Sequence, residues 1–393
     1  MRAQRVGAGG AAFGGAASGL DGAVIGSAVL LTGFGIVMVY SAAAPLAFGN
    51  PVPPHFQRHL LAVGLGLACI AVALRIPLAV WRRLALPLWA AGVALLVATS
   101  AAGVEVNSAR RWLAVPGLEL RFQPGEVAKW ATLLAVAAVL ARPERRAGAG
   151  ARPVVLAGAL SAPPIALLVA QPDLGSTAVL IALVGLLLFV AGVRLRWLAA
   201  AGGVATAGLG LCMLVRPYAL ARWKGFLAPW ENARTEGFQL VQSFVAFGRG
   251  GMLGVGVGDG RQKLFYLPEA HTDFILSVVA EELGLVGVLV VLAAFAGFAV
   301  AGVRIAQRAR DPFALLVAFA MTAFVVVPAA VNAAVVMGLL PTTGLTLPFL
   351  SYGRTSLLMC ALSVGVLLRI ASREAQLPRS RVAATVPRGL WRG

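Results

Sequence analysis

Charged residues are scarce in this sequence, and the scarcity indicates its class. Only 12% of the 393 residues are Asp, Glu, Lys or Arg, whereas 60% are hydrophobic. Apolar runs of about twenty residues recur from end to end, and a run of that length can cross a bilayer as a helix. A soluble domain is therefore excluded, and the sequence predicts an all-α integral membrane protein.

Cysteines and familiar cofactor motifs are also few or missing. Cys69, Cys212 and Cys360 each lie inside an apolar run with no partner or metal-ligand spacing nearby, so we interpret them as core or lipid-facing residues. The sequence has no Walker lysine-serine pair, no dinucleotide fingerprint after a strand and no HExxH cluster. These absences argue against soluble nucleotide chemistry and against a protein-bound metal.

Hydropathy predicts about ten transmembrane helices. They lie at roughly 22–44, 59–75, 84–102, 125–141, 153–170, 174–193, 198–216, 274–302, 313–336 and 354–370. Alternate loops hold twelve arginines against Glu144 and Asp311, an excess that is typical of the cytoplasmic side. Both termini are therefore predicted to be cytoplasmic, and the net charge of +18 is not interpreted as a sign of a nucleic-acid partner.

The chain is predicted to be one polytopic domain, residues 22–370, between two flexible cytoplasmic tails, 1–21 and 371–393. The largest outward loop, about 217–273, lies between spans seven and eight, and a loop of that length usually has a function or structure of its own. Within it, EGFQLVQSFVAFGRGG has apolar residues at helical spacing and predicts an amphipathic or re-entrant helix.

Outward loops carry both signs of charge, including all three lysines of the chain. One loop places Arg110 and Arg111 beside Trp112, and it ends with Glu126 and Lys129 on one helix face. An interfacial anchor and a binding site are both compatible with this pattern.

Two further motifs have a structural and a functional interpretation. Asp173 in QPDLGST stands just before a helix, where an N-cap is the simplest interpretation. The glycines of GRGGMLGVGVGDGRQK could present backbone N–H groups to an anion, with Arg249, Arg261 and Lys263 around them. A glycine-rich loop alone is weak evidence for such a site.

The segment YLPEAHTDFILSVVAEELG concentrates acidic residues at the edge of the eighth span. Glu269, His271 and Asp273 precede the span, and Glu281 lies about 12 Å further along the helix. Carboxylates at membrane depth are costly, so they pair or serve a function. We favour a function for Asp273, whereas Glu281 and Glu282 could instead pair with helix ends or loop arginines.

Several of these segments together resemble a known family. GFQLVQSFVAFGRGG, YLPEAHTDFI, EELG and GLLPTTGLTLPFLSYG resemble, in order and spacing, signature segments of the SEDS family (FtsW, RodA and SpoVE), the polytopic peptidoglycan glycosyltransferases. NSARRWL, FQPGEVAKW and QPDLGST are similar to its earlier motifs, so the resemblance covers nearly the whole chain. PEAHTDFI and LPTTGLTLPFLSYG are closer to the FtsW, or division, branch than to the RodA, or elongation, branch.

The resemblance implies that the substrate is lipid II and the product a longer glycan strand, made at the extracytoplasmic face of the bacterial inner membrane. It implies that Asp273 is the catalytic carboxylate, and a cation such as Lys129 or an arginine is expected to keep that carboxylate ionised. No cofactor is expected, although a divalent cation could help to hold the pyrophosphate. The predicted substrate-binding residues are Glu126, Lys129, Arg110, Arg111, Arg222, Arg249, Lys263, Glu269, His271 and Ser351.

The resemblance also implies a partner, a single-span class B penicillin-binding transpeptidase, together with other divisome or elongasome proteins. Other functions stay open: an elongation-type polymerase, a flippase for lipid II, or a non-catalytic scaffold for a penicillin-binding protein. Arg354 stands where the family usually has glycine. It either disturbs close backbone packing or adds a phosphate contact, and we favour the contact.

Overall fold

The computed structural model describes residues 19–47, 50, 52–106, 109–114, 121–142 and 150–376, and helices dominate it. The helices are α1 (Gly19–Ala43), α2 (Pro54–Arg75), α3 (Leu78–Ala102), α4 (Pro124–Leu140), α5 (Arg152–Ala170), α6 (Leu174–Val190), α7 (Leu195–Val215), α8 (Pro217–Leu227), α9 (Phe238–Gly250), α10 (Ile275–Arg308), α11 (Pro312–Val336) and α12 (Arg354–Gln376). The predicted all-α, multi-pass class is confirmed.

Every predicted span coincides with a helix: α1 to α7 match the first seven, and α10 to α12 match the last three. Within the described residues, 8 helices are long and apolar enough to cross a membrane, and α6 is a shorter apolar helix. The remaining match, α4, has 17 residues and carries Glu126 in its first turn. The number of spans and the cytoplasmic location of both termini stay predictions.

The predicted domain limits fall close to helix ends. The first helix begins at Gly19 and the last ends at Gln376, compared with the predicted limits of 22 and 370. Most of both predicted tails, residues 1–18 and 377–393, lies outside the described residues.

Helix α4 occupies the interior of the bundle, where it packs against α3, α5, α6 and α11. Nearly all of its residues are buried. An apolar surface on every side is typical of a helix surrounded by protein, whereas an exposed helix has one polar face. The charged residues of its first turns are therefore set in the protein interior.

The predicted outward loop between spans seven and eight contains two α-helices and a π-helical turn at Gln262–Tyr266. Helix α9 confirms the predicted amphipathic helix, because Leu240, Val241 and Ala246 are buried while Arg249 is exposed. The other α-helix, α8, was not predicted. It follows α7 after Arg216 alone, so hydropathy gives no sign of a separate helix.

A small antiparallel sheet lies between α3 and α4. Its strands are β1 (Val104–Val106), β2 (Ala109–Ala114) and β3 (Arg121–Phe122), in the order β1-β2-β3. The sequence predicted only a loop here, because strands this short show too little alternation to be recognised.

Helix α10 is interrupted at Gly284, where φ is 65° and ψ is −164°. The glycine-rich loop after α9 covers this break. Val255 N–H donates to the Glu281 carbonyl at 3.0 Å, and Gly256 N–H donates to the Glu282 carbonyl at 3.1 Å. Such bonds matter in a membrane protein, because hydrocarbon offers no partner for a free backbone group.

Candidate functional site

Asp273 lies two residues before α10, at the end of the bundle that carries α8 and α9. Its backbone is fixed by Asn332 of α11, whose Nδ2 donates to the backbone oxygens of Asp273 and Leu345, each at 2.7 Å. Its side chain accepts a hydrogen bond from Thr272 Oγ1 at 3.0 Å. The carboxylate is thus held where α10, α11 and the segment before α12 meet.

The surroundings of Asp273 raise the pKa of its carboxyl group to about 6. Burial is the largest cause, and the nearby Glu269 carboxylate adds to it. Hydrogen bonds from the Asp273 backbone and Thr272, and the positive charge of Arg222, oppose the increase in pKa. The charge of Arg222 thus favours the ionised carboxylate, as expected of a nearby cation, but it does not cancel the effect of burial. A carboxylate with this pKa is ionised at neutral pH and still a useful general base.

A cavity of about 360 Å³ lies between α6, α8, α11 and residues 340–343. Its walls are mainly apolar, and three charged residues line it: Arg111, Arg222 and Asp173, whose carboxylate caps α6. Arg222 Nη1 donates to the Thr342 carbonyl at 2.8 Å. Arg111 donates to the carbonyls of Gln171, at 3.2 Å, and Pro172. Such a cavity fits an anionic group attached to an apolar chain.

Glu126 and Lys129 form a buried ion pair in the first turns of α4. The Lys129 Nζ to Glu126 Oε1 distance is 2.7 Å, and the whole Lys129 residue is only 1% exposed. The predicted pairing on one helix face is confirmed. A contact of either residue with substrate stays a prediction.

Glu282 and Lys263 form a second buried ion pair, with 2.6 Å between Lys263 Nζ and Glu282 Oε1. Ser41 Oγ donates to Glu282 at 2.7 Å and accepts from Lys263 Nζ at 2.7 Å. Gly258 contributes its N–H to Glu282 at 3.0 Å and its carbonyl to Lys263 at 2.6 Å. The network ties the glycine-rich loop to α1 and α10.

The side chain of Glu281 holds the backbone of the same loop. It accepts N–H bonds from Arg261, at 2.9 Å, and Gln262, at 3.0 Å, and Arg249 Nη1 lies 3.5 Å from it. Arg249 and Lys263, both predicted to bind pyrophosphate, are therefore engaged with glutamates. Their contact with substrate stays a prediction.

Glu269 and His271 flank Thr272 beside the catalytic candidate. Glu269 is exposed, and its carboxylate lies 2.7 Å from Thr272 Oγ1, so it competes with Asp273 for the single proton of that hydroxyl. The backbone oxygen of His271 accepts from Tyr352 N–H at 2.9 Å, and the two rings lie 5.7 Å apart. Burial lowers the pKa of His271, so its imidazole is neutral at pH 7.

The remaining predicted residues have local partners. Ser351 is buried, and its Oγ accepts from Leu347 N–H at 2.8 Å, which fixes the turn before α12. Arg110 is exposed and lies 3.6 Å from Glu105. Asp173 accepts from Ser176 N–H at 3.1 Å, which confirms the predicted N-cap of α6.

Asn332 is a site residue that the sequence motifs did not identify. It is the only amide in α11 and is 1% exposed. A buried polar side chain in an apolar membrane helix is itself a signal of function or of a specific partner. That signal was available in the sequence.

Comparison with known proteins assigns the chain to a family. The FTSW_RODA_SPOVE model, described as a cell cycle protein, matches residues 23–376. The chain belongs to the FtsW/RodA/SpoVE family. The match covers the motifs on which the resemblance was based, and it confirms that resemblance.

The probable peptidoglycan glycosyltransferase FtsW of Geobacter sp. (strain M18) is among the most similar curated relatives. The two chains are 39% identical over 362 residues, and the alignment covers 90% of this chain and 97% of the relative. The probable peptidoglycan glycosyltransferase FtsW of Halomonas elongata is 40% identical over 380 residues, 94% of each chain. These relatives support the expected place in the FtsW branch.

Solved structures of the family are also similar. One is a chain from work on structural coordination of polymerization and crosslinking by a peptidoglycan synthase complex, with a TM-score of 0.73, 28% identity, and coverage of 90% of this chain and 98% of that chain. The rod shape determining protein RodA of Thermus thermophilus has a TM-score of 0.65, 27% identity, and coverage of 90% and 97%.

Proposed function

We propose that this family member is a peptidoglycan glycosyltransferase that polymerises lipid II into glycan strands during cell division. The observation that carries the proposal is the link between Asp273, a carboxylate with a pKa of about 6, and Arg222, whose charge acts on that carboxylate and which lines a cavity with mainly apolar walls together with Arg111. The names of the curated relatives support the same activity.

The cavity is the proposed site of the donor substrate. Lipid II carries its pyrophosphate between a sugar and a long isoprenoid chain. The guanidinium groups of Arg111 and Arg222 match the pyrophosphate, because planar guanidinium donors bind phosphate oxygens well. The apolar walls match the first isoprene units. This arrangement leaves the donor sugar free to extend towards Asp273.

Asp273 is the proposed general base. Its carboxylate accepts the proton of the acceptor's 4-hydroxyl while that oxygen attacks the anomeric carbon of the donor sugar. The bond from the anomeric carbon to the pyrophosphate oxygen breaks with inversion, and undecaprenyl pyrophosphate leaves with the bonding electrons. Positive charge from the two arginines stabilises the leaving group, which therefore needs no proton.

Other predicted binding residues have supporting roles in this proposal. The buried Glu126–Lys129 pair keeps the interior of the bundle polar without a net charge. Among the described residues, no group of three or more His, Cys, Asp or Glu side chains is arranged to hold a metal ion. We therefore assign no step to a divalent cation.

The proposed partner is a class B penicillin-binding transpeptidase, and the proposed location is the bacterial inner membrane with the site facing outward. The similarity to a chain of a peptidoglycan synthase complex supports the partner. Arginine-rich loops at the opposite end of the bundle support the orientation. A lipid II flippase is the second candidate function, because buried carboxylates within a helical bundle also suit a transporter.

Purified protein, alone and with a class B transpeptidase, tests the choice between these functions. Lipid II is supplied in detergent, where no leaflets exist, and glycan strands are separated by size. We expect polymer that disappears after heat inactivation of the protein. Absence of polymer under both conditions, together with transport of lipid II in vesicles, would favour the flippase.

A further inference from the structure

A second cavity, at the opposite end of the bundle from Asp273, carries an unusual charge. It measures about 570 Å³ and lies between the start of α3, the start of α11 and the end of α12. We call it the basic cavity. Four arginines line it against one carboxylate, that of Asp311, among its described residues: Arg82, Arg83, Arg369 and Arg373.

The carboxylate in the basic cavity is already in use. Asp311 caps α11 by accepting Phe313 N–H at 3.1 Å, and it lies 4.0 Å from Arg82 Nη2. Arg82 also lies over the Phe313 ring, 5.1 Å from its centroid. One ion pair thus accounts for Asp311 and Arg82. The carboxylate of Glu374, next to Arg373 on α12, is likewise engaged, 3.8 Å from Arg310, so the other three arginines of the cavity have no ion pair within the described residues.

Two of those arginines repel each other. Arg369 and Arg373 are four residues apart on α12, so they lie on the same face one turn apart. Like charges at this spacing destabilise a helix unless an anion lies between them. Within the described residues neither has an ion pair, and Arg369 is partly buried, which limits screening by water.

Backbone donors point to the same chemistry. Leu78 and Ala79, the first residues of α3, line the basic cavity, and no side chain caps this helix. The first N–H groups of a helix have no intrahelical acceptor and attract anions through the helix dipole. Guanidinium groups and free helical N–H groups together form a site suited to phosphate.

The chain's own tails cannot neutralise the basic cavity with side chains. Residues 1–18 and 377–393 contain several arginines and no Asp or Glu. Residues 1–18 and 377–393 therefore supply no carboxylate side chain to the basic cavity. The cavity lies at the end of helices that the apolar segments place in a membrane, so phospholipid headgroups are close to it.

We propose that the basic cavity binds the phosphate group of an anionic phospholipid. The lipid headgroup bridges α3 and α12 and relieves the repulsion between Arg369 and Arg373. Because α12 also reaches the segment that follows Ser351 near Asp273, such a lipid stabilises the helix that spans both ends of the molecule.

The test uses Arg369→Gln/Arg373→Gln with Arg194→Gln/Arg196→Gln as the matched control. The control removes two exposed arginines near the start of α7, outside the basic cavity. The thermal unfolding midpoint of each purified protein is measured in a neutral detergent during titration with phosphatidylglycerol, phosphatidylcholine or inorganic phosphate.

We expect phosphatidylglycerol to raise the midpoint of the wild type and the control at the same lipid concentration, and phosphatidylcholine to have no such effect. Each arginine is expected to contribute about 1 kcal/mol to binding, and about 1.4 kcal/mol corresponds to a tenfold change in affinity. The double variant should therefore need roughly thirtyfold more phosphatidylglycerol for the same rise in midpoint. Arg83→Gln, a single exposed change, should need about fivefold more and serves if the double variant does not fold.

Equal responses of the double variant and the control to phosphatidylglycerol would overturn the proposal. Equal protection of the wild type by inorganic phosphate, lost in the double variant, would reject the lipid as the source and leave a free phosphate site.

Discussion

A substitution at Lys263 is the sharpest test of whether the glycine-rich loop has a structural or a substrate-binding role. Its ammonium group is bonded to Ser41, the Gly258 carbonyl and Glu282, and the side chain is 5% exposed. Lys263→Met keeps most of the volume and removes the charge. The Glu282 carboxylate, whose side chain is 0% exposed, then stays buried without a cation.

The expected cost follows from this burial. Removing one partner of a buried ion pair typically lowers the free energy of unfolding by about 3 to 5 kcal/mol, because the other charge is left uncompensated. Removing both charges in Lys263→Met/Glu282→Gln should recover a large part of that loss, since no buried charge remains. Lys224→Met, at an exposed lysine of α8, should change the free energy by no more than about 0.5 kcal/mol.

Denaturant titration in mixed micelles measures these free energies, and lipid II polymerisation is measured on the same preparations. A stability of Lys263→Met equal to that of Lys224→Met, combined with a raised KM for lipid II, would refute the structural role. Lys263 would then belong to the pyrophosphate site.

Three further changes test other parts of the structure. Gly284→Ala should lower the free energy of unfolding by more than about 1 kcal/mol, because φ is positive there and a Cβ would lie 2.4 Å from Gly254 N. As a control, Gly208→Ala in α7 places its Cβ in open space and should stabilise the helix slightly. Unfolding midpoints measure both effects. The polymerisation rate should halve near pH 6 and fall about tenfold per pH unit below it, as Asp273 is protonated. Because the pKa of Asp273 is raised from 3.8 to about 6, ionisation of this group destabilises the folded state as the pH rises through that range. Loss of activity in acid is therefore not explained by unfolding through Asp273. A polymerisation rate that stays constant from about pH 5 to 7 would contradict its role. Arg222→Gln should raise the KM for lipid II by roughly ten- to a hundredfold and move the acid limb of the pH profile to higher pH; an unchanged KM and acid limb would exclude the contact.

The transmembrane helices were predictable because a single property of the sequence, the length of an apolar run, determines where they lie. A bilayer requires about twenty apolar residues per span, so hydropathy placed all ten predicted spans on helices. The sheet of β1, β2 and β3 and the helix α8 lie outside the apolar segments, where that constraint does not act. Their short length left no periodic pattern to recognise.

The parts of the site that could be predicted are ion pairs between residues close together in the sequence. Glu126 and Lys129 are three residues apart on one helix, and their ion pair follows from helix geometry. Pairs that are distant in sequence could not be derived in this way. Lys263 and Ser41 meet through the packing of α1 against α10, and hydropathy specifies no such packing partner.

Asp273 itself was identified from its position at the start of a span, but the polar groups around it were not. Asn332 lies 59 residues away in sequence, and Arg222 acts from a different helix. The pKa of Asp273 depends on these residues and on burial together, so it required the three-dimensional structure.

The most direct test of the proposed mechanism is lipid II polymerisation by Asp273→Asn, with Glu231→Gln, an exposed carboxylate of the same long segment, as the control. The asparagine keeps the size of the side chain and cannot act as a base. We expect the variant to be produced with an unfolding midpoint at or above that of the wild type, because the ionised Asp273 is destabilising, while polymerisation falls by roughly 100-fold to 10,000-fold and the control stays active. Near-normal polymerisation by Asp273→Asn would contradict the assignment of the general base.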